Sequence, residues 1–215
     1  MPLRATLCAF FVFLGSLSAP AQQFSADIVQ TENNGTRNSG KVHVLNGKVR
    51  IEIASFPDGF FLLDGMSAYF VRPSNRIYME ARQSSPLTGL MMPIDPVDPC
   101  RQWQEMALRA GSIRQDEAWR CERIKDETIA TRAALQYRVT SSVGRALMLG
   151  WIDVELKFPL KIELDNGTEI SVSNIIDDRQ PSELFEIPAG FRRFDPESLI
   201  QRIKHSDVWV EDSYR

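Results

Sequence analysis

The segment 41–53, KVHVLNGKVRIEI, is the feature that most constrains what this chain can fold into. An Asn-Gly pair between two alternating runs is the strongest short-range signal for a β-hairpin with a two-residue turn. Such a turn sets four β-branched residues in facing pairs on one side of the ribbon: Val44 with Val49, and Val42 with Ile51. The other side carries charged and polar pairs: Lys41 with Glu52, and His43 with Arg50. We therefore predict an antiparallel sheet with one face that must be covered.

The first 21 residues are predicted to be a secretory signal peptide. Arg4 gives a positive start, residues 7–17 are apolar and uncharged, and small residues precede a cleavage point after Ala21. The alternative, a membrane anchor, needs a longer helix, because the hydrocarbon core is about 30 Å thick. We expect an exported, periplasmic protein with no transmembrane segment after cleavage, and a single domain over residues 22–215.

The charge balance argues against nucleic acid as a partner. The chain has 25 Lys and Arg residues against 28 Asp and Glu residues, and its net charge is −3. The predicted signal peptide contains one charged residue, Arg4, so its removal makes the balance more acidic. Phosphate binding requires a basic surface, and the basic residues here are scattered along the sequence. We expect a monomer without a nucleic-acid partner.

Two cysteines, Cys100 and Cys121, follow the predicted signal peptide. An even pair in an exported protein favours a disulfide, for which the chain-entropy model gives about 3 kcal/mol. A redox pair is the alternative, but the C-x-x-C spacing is missing. A metal site needs more thiolate or imidazole ligands, and the two histidines, His43 and His205, are remote in sequence. We predict a structural disulfide and no metal.

The first part of the chain alternates short strand patterns with turn signals, which predicts a meander of about six strands. A meander of this kind forms a strongly curved sheet or a barrel. The predicted strands are Phe24–Thr31, the two arms of the hairpin, Phe60–Leu63, Ala68–Val71 and Arg76–Glu80.

The strand pattern stops at residues 81–99, a proline-rich segment with an apolar cluster. Loops without their own secondary structure are usually functional or disordered. Asp98-Pro99 then predicts a helix start, with an N-cap residue before proline at the first helical position. Trp103 and Met106 recur at helical spacing, and Gly111 is expected to end the helix. We expect this helix to lie on the free face of the sheet.

Five further strands are predicted after the helix: Trp119–Glu127, Ala133–Ser141, Ala146–Val154, Phe158–Leu164 and Thr168–Ile176. A three-residue loop, Asp165–Gly167, is favoured over a two-residue turn because it sets Ile162 against Ile170. It also places Glu163 opposite Glu169. A helical turn at Pro181–Leu184, an extended segment and a short helix from Asp195 to Ile203 complete a mainly β, α+β fold of about 10–11 antiparallel strands in a half-open barrel.

Sequence motifs for catalysis and cofactor binding are missing. We find no nucleophile elbow, zincin, phosphate-loop or dinucleotide motif, and two histidines do not assemble a Ser-His-Asp or Cys-His set. Asp165-Asn166-Gly167 is similar to a fragment of a calcium loop, but further ligands at the required spacing are lacking. Asp177-Asp178 lies in a predicted turn, where carboxylates accept backbone hydrogen bonds. We therefore expect no enzyme activity and no cofactor.

The remaining signal is apolar. Many large side chains face one side of a single sheet, which fits either an ordinary core or a cavity for an apolar ligand between the sheet and its helices. Methionines favour the cavity, because their flexible side chains repack around variable ligands. The candidate ligand-binding residues are Val42, Val44, Val49, Ile51, Phe61, Phe70, Met79, Leu87, Leu90, Met91, Met92, Trp103 and Met106.

Three segments resemble the outer-membrane lipoprotein carrier family, which has the LolA/LolB-like fold. These are FSAD opening the first strand, the hairpin, and FFLLDGMSAYFVRPSNRIYME at residues 60–80. The closing NIIDDRQPSELFEIPAGFRRF, residues 174–194, resembles the F-x-x-P-x-G ending of the same superfamily and is more similar still to an uncharacterised periplasmic family. The resemblance implies a half-open barrel with helices as a lid over an apolar cavity for acyl chains. In the carrier a lid helix precedes the first strand, whereas here the first predicted strand begins almost at the predicted cleavage site, and Leu45 and Asn46 stand in the region where the carrier has its latching arginine.

Two functions follow as hypotheses. The first is a periplasmic, non-enzymatic protein that binds a hydrophobic or acylated ligand, such as a lipid or a lipoprotein, between sheet and lid. The second is an envelope protein-interaction or sensor domain on the same fold, in which residues 87–94 form an apolar surface for a partner protein.

Overall fold

The structure is a computed structural model that describes residues 22–65, 67–81, 86–109 and 118–196. The predicted signal peptide, the predicted helix end at Gly111 and almost all of the predicted helix from Asp195 to Ile203 lie outside these residues. The described residues form one twelve-stranded sheet with helices on one of its faces.

The first six strands form the predicted meander: β1 Gln23–Thr31, β2 Arg37–Leu45, β3 Lys48–Ile53, β4 Phe60–Asp64, β5 Ser67–Arg72 and β6 Ile77–Glu80. The predicted hairpin register is confirmed, with Val44 opposite Val49 and Val42 opposite Ile51. Its turn residues, Asn46 and Gly47, have φ values of 48° and 89°. Positive φ at both central residues is what a two-residue type I′ turn requires.

The next five strands are β7 Trp119–Ile129, β8 Arg132–Ser141, β9 Ala146–Asp153, β10 Phe158–Leu164 and β11 Glu169–Ile176. The three-residue loop is confirmed, since Ile162 lies opposite Ile170 and Gly167 has a φ of 82°. The facing carboxylates of Glu163 and Glu169 are compensated by Lys161, whose Nζ lies 2.6 Å and 3.2 Å from them.

The two meanders join through a pairing that local patterns do not reveal, β1 with β11. The strand order is β12-β6-β5-β4-β3-β2-β1-β11-β10-β9-β8-β7. The extra strand, β12 Arg192–Arg193, lies parallel to β6 and brings the total to one more than the predicted 10–11. All other pairings are antiparallel.

Two α-helices belong to the described residues, α1 Pro86–Leu90 and α2 Pro99–Arg109. The prediction that residues 81–99 lack secondary structure is wrong for α1, and the prediction that α2 starts at Asp98-Pro99 is confirmed. Short 3-10 turns occupy Pro73–Asn75 and Ser182–Phe185. No helix in the described part of the chain combines the length and apolar character that crossing a membrane requires.

The sheet is strongly curved. The curvature is shown by one short helix that reaches from strand β7 to the turn between β4 and β5. Cys100 in the first turn of α2 is bonded to Cys121 in β7, and Arg109 in its last turn donates to the carbonyl of Gly65. An eleven-residue helix is about 16 Å long. Eight strand spacings separate β7 from β4, which is about 38 Å in a flat sheet. The half-open barrel predicted from the sequence is therefore confirmed.

Candidate ligand site beneath the lid

The four hairpin residues predicted to face the enclosed space lie on the concave face of the sheet. Val42, Val44, Val49 and Ile51 are each 0% exposed. They belong to one large apolar cluster together with residues of both helices. The predicted covering of this face is present, and it consists of residues 86–109, which we call the lid.

The predicted apolar segment of the lid is turned inward. Leu87 and Leu90, one turn apart in α1, are buried, and so are Met91, Met92 and Ile94. The second hypothesis expected this segment as an exposed surface for a partner protein. In the structure these five side chains pack into the cluster on the concave face instead.

The apolar side of helix α2 faces strands β8 and β9. Trp103 and Met106, predicted at helical spacing, are 0% and 6% exposed. The indole of Trp103 lies directly against Gly150 in β9, where a Cβ atom would meet the ring at 2.5 Å. Its ring also makes an edge contact with Tyr137, at a centroid distance of 6.5 Å. A glycine in the middle of a strand thus makes room for the lid.

Helix α2 is fastened at its start by the predicted disulfide between Cys100 and Cys121, which the structure contains, with a Cα–Cα distance of 5.5 Å. One turn later, Gln104 accepts a hydrogen bond from the backbone N–H of Trp119 at 3.2 Å. The described residues contain no group of three or more His, Cys, Asp or Glu side chains that could hold a metal ion.

Two polar contacts fasten the middle of the lid. The backbone N–H of Ile94 donates to the carbonyl of Lys157 at 2.8 Å, and the Tyr137 hydroxyl donates to the carbonyl of Pro96 at 2.6 Å. Burial raises the pKa of Tyr137, which keeps the hydroxyl protonated as the donor. The lid therefore lies closed on the sheet, held by its central loop and by both ends of α2, since Arg109 in the last turn also donates to the carbonyl of Gly65.

The concave face continues beyond the lid as a half-buried apolar row. Ile51 lies opposite Phe61, Phe61 opposite Phe70, and Phe70 opposite Met79. Burial decreases along this line, from 0% exposed at Ile51 to intermediate exposure for the last three residues, which we call the apolar row. The rings of Phe61 and Phe70 are 4.9 Å apart.

An open pocket of about 370 Å³ adjoins the apolar row at Phe70. Phe56, in the turn before β4, lines it, is 53% exposed, and makes an edge contact with Phe70 at 6.3 Å. Gly59 lies beneath the Phe70 ring, where a Cβ atom would overlap the ring. The residues Phe56-Pro57-Asp58-Gly59 carry a turn signal, which predicts a turn and gives no indication that Phe56 contacts an apolar site.

The outer face of the hairpin holds the C-terminal segment 177–194, which we call the strap. His43 and Gln180 are joined by a hydrogen bond of 2.9 Å, and Arg50 donates to the carbonyl of Leu184 at 3.2 Å. Arg50 also stacks on the ring of Phe60, 3.5 Å from its centroid. These polar residues have a structural task, since they fix the strap to the sheet.

A cluster of charged residues joins the ends of three strands. Arg132 pairs with Asp153, with Asp177 at 2.9 Å and with Glu155 at 3.1 Å. The Asp153 side chain is 2% exposed and accepts two backbone hydrogen bonds from the following turn. The polar groups that hold the strap and those of the Arg132 cluster are paired within the fold. The apolar concave face is therefore the candidate site.

Comparison with known proteins gives structural matches only: no family model matches the chain, and no curated protein matches it. An uncharacterized conserved protein from Thermus thermophilus matches with a TM-score of 0.46 and 11% identity, over 80% of this chain and 89% of that chain. A LolA superfamily protein from Nitrosomonas europaea matches with a TM-score of 0.37 and 15% identity, over 78% and 91%. The Pseudomonas aeruginosa MucA/MucB complex matches with a TM-score of 0.40 and 16% identity, over 80% of this chain but 56% of that one.

The LolA-like resemblance predicted from the sequence is therefore found again among the structural matches. It concerns the fold.

Proposed function

We propose that this chain is a non-enzymatic binding protein of the periplasm, and that it holds an apolar or acylated ligand between its curved sheet and its lid. The observation that carries the proposal is the continuous apolar concave face, closed by the lid at one end and half-buried at the other. Export is inferred from the pattern of residues 1–21 and fits a disulfide-bonded protein.

The lid has the side chains that a variable apolar ligand requires. Met91, Met92 and Met106 lie on its inner side and are buried in the common cluster. Methionine side chains are unbranched and adapt to different shapes. In the closed arrangement these residues occupy the place that a ligand would take, so binding beneath the lid requires them to move outward.

The apolar row offers the first contact. Phe61, Phe70 and Met79 are only half-buried, and the pocket beside Phe70 is open. An acyl chain that lies along this row continues directly toward Ile51, which is the next residue of the same line. The ligand would then displace the lid from this side, while the disulfide at Cys100 keeps the start of α2 attached.

Two variants of strand β5 test the proposal. Phe70→Ala removes a ring of the apolar row, whereas Tyr69→Ala removes a half-buried ring from the opposite face of the same strand. We expect Phe70→Ala to weaken binding of a fluorescent fatty-acid analogue about tenfold, which corresponds to about 1.4 kcal/mol. Tyr69→Ala should bind as wild type. Equal affinity of all three proteins, or no binding by wild type, contradicts the proposal.

The second hypothesis, an interaction or sensor domain, now has to use a surface other than residues 87–94. Changing Met91 and Met92 to serine cannot separate the two hypotheses, because both side chains are buried and the change would also destabilise the lid. A pull-down in which wild type retains an envelope protein, while no lipid probe binds, favours this hypothesis over the first.

A further inference from the structure

We propose that Trp103 and Trp119 form a hydrogen-bonding site under the lid for the carbonyl group of an acyl ligand. The inference rests on the proposed function and narrows it: the ligand is a fatty acid, ester or amide, and a plain hydrocarbon binds less well. It assigns a specificity-determining role to two indole N–H groups.

The observation is a pair of buried donors without acceptors. In the described part of the chain, the buried side-chain nitrogen and oxygen atoms without a hydrogen-bond partner are Trp103 Nε1, Trp119 Nε1 and Gln136 Oε1. Nearly all buried polar groups in proteins are paired, and an unpaired one costs about 1–3 kcal/mol. Gln136 lies opposite Trp151 on the outer face. The two indole N–H groups belong to the concave face, and the absence of an acceptor for each of them has to be explained there.

Both tryptophans belong to the junction of α2 with β7. Trp103 is in α2, and Trp119 is the first residue of β7. The backbone N–H of Trp119 donates to Gln104, the neighbour of Trp103 in sequence. Two residues after Trp119, Cys121 points to the same face and carries the disulfide to α2. The strongest attachment of the lid thus holds both indoles on the side of the sheet where the ligand is proposed to lie.

The chemistry of the junction selects an acyl group. An indole N–H donates and does not accept, so its partner must be an acceptor. A carbonyl oxygen has two lone pairs and accepts from one or from both indoles. The neighbouring side chains of the same cluster are apolar, with Val139 at 0% and Met148 at 4% exposure. Such surroundings suit the hydrocarbon part of the same ligand.

The chain contains a matched control. Trp151 donates its Nε1–H to Glu127 at 2.8 Å and packs on the outer face, away from the lid. Its indole is already paired, so it should not respond to a ligand under the lid. Changing it to phenylalanine removes the same atoms as the changes at Trp103 and Trp119.

The experiment uses the full exported chain with its disulfide, labelled with ¹⁵N in the indole groups. Palmitic acid, methyl palmitate and an alkane of matched length are added from cyclodextrin. We expect both ligands with a carbonyl to shift the Nε1–H signals of Trp103 and Trp119 and to leave that of Trp151 in place. Comparing the acid with the ester identifies whether a carboxylate or a neutral carbonyl is preferred.

Affinities of the variants complete the test. Trp103→Phe and Trp119→Phe should each weaken methyl palmitate binding roughly fivefold, the equivalent of one hydrogen bond of about 1 kcal/mol. Alkane binding should fall less than methyl palmitate binding, because the alkane loses only apolar contact with the ring, and Trp151→Phe should bind both probes as wild type does. An equal loss of affinity for both probes would indicate a merely structural role and overturn the inference.

The inference and the proposed function fail in different ways. If alkane and ester bind equally well and the two indole signals stay in place, the carbonyl site is refuted while the apolar site stands. If none of the three probes binds, both are refuted.

Discussion

Replacing Gly150 with alanine should displace the lid, because the new Cβ atom would lie 2.5 Å from Cη2 and 2.8 Å from Cζ2 of Trp103. Ordinary carbon contacts are about 3.5–4 Å, so the indole must shift by about 1 Å. The ring is fully buried, and the disulfide at Cys100 restrains its helix one turn earlier. Overpacking of this kind costs about 1–3 kcal/mol.

A double-mutant cycle with Trp103→Phe isolates this contact. Phenylalanine lacks the outer ring of the indole, so the clash with an alanine at position 150 should largely disappear. We expect Gly150→Ala to cost at least about 1 kcal/mol less in the Trp103→Phe background than in wild type. Gly144→Ala is the control: a Cβ there meets nothing within 4 Å, so its cost should not depend on position 103.

The assay is urea unfolding of the oxidised protein, followed by far-ultraviolet circular dichroism because tryptophan fluorescence changes with the mutation. The free energy of unfolding is compared among the four proteins of the cycle. Effects of Gly150→Ala and Trp103→Phe that add within about 0.5 kcal/mol would show that the two residues are not in contact. That result would refute the position of the lid on strand β9.

Three further predictions concern stability. Reduction of the Cys100–Cys121 disulfide should lower the free energy of unfolding by about 3 kcal/mol, measured in urea with and without reductant. Tyr137→Phe should cost about 1 kcal/mol through its lost hydrogen bond to the lid. Because burial raises the pKa of Tyr137, wild-type stability should fall as the pH rises past about 10, and the variant should lose less. Arg132→Ala should cost about 3–5 kcal/mol, because it leaves a buried carboxylate unpaired, whereas Arg101→Ala, whose ion pairs are exposed, should leave the urea midpoint nearly unchanged.

Local features of this fold follow directly from the sequence. Asn46-Gly47 specifies a two-residue turn, and the alternating residues on each side then determine the register of the hairpin. The loop at Asp165–Gly167 is determined in the same way by the facing isoleucines. The start of α2 follows from Asp98-Pro99, and the disulfide follows from the number and setting of the cysteines.

Features that depend on distant residues were not predictable in this way. The pairing of β1 with β11 joins Ser25 to Ile176, and no local pattern relates such remote segments. Helix α1 was missed because its proline and its glycine argue against a helix, while the burial of its residues against the sheet favours one. A glycine inside a strand suggests a close approach, but only the structure identifies Trp103 as the group that approaches Gly150.

The same distinction applies to the candidate site: local sequence patterns predict some of its residues, and the structure is needed to identify the others. Alternation placed Val42 and Ile51 on the concave face, and helical spacing placed Trp103 on the inner side of α2. Only the structure identifies the pocket beside Phe56 and the unpaired indoles of Trp103 and Trp119. Both depend on how distant segments pack around these side chains. The polar residues His43 and Arg50 on the other face of the hairpin contact the strap, which gives them a structural use that the sequence does not indicate.

The most direct test of the central claim is native mass spectrometry of the protein isolated from the periplasm without detergent. We predict a population heavier than the polypeptide by the mass of an acyl lipid, which is released on denaturation. The same preparation, treated to remove lipid, should then bind a hydrophobic dye. A single mass equal to that of the polypeptide, together with no dye binding, would contradict the claim that the lid and the curved sheet enclose a ligand site.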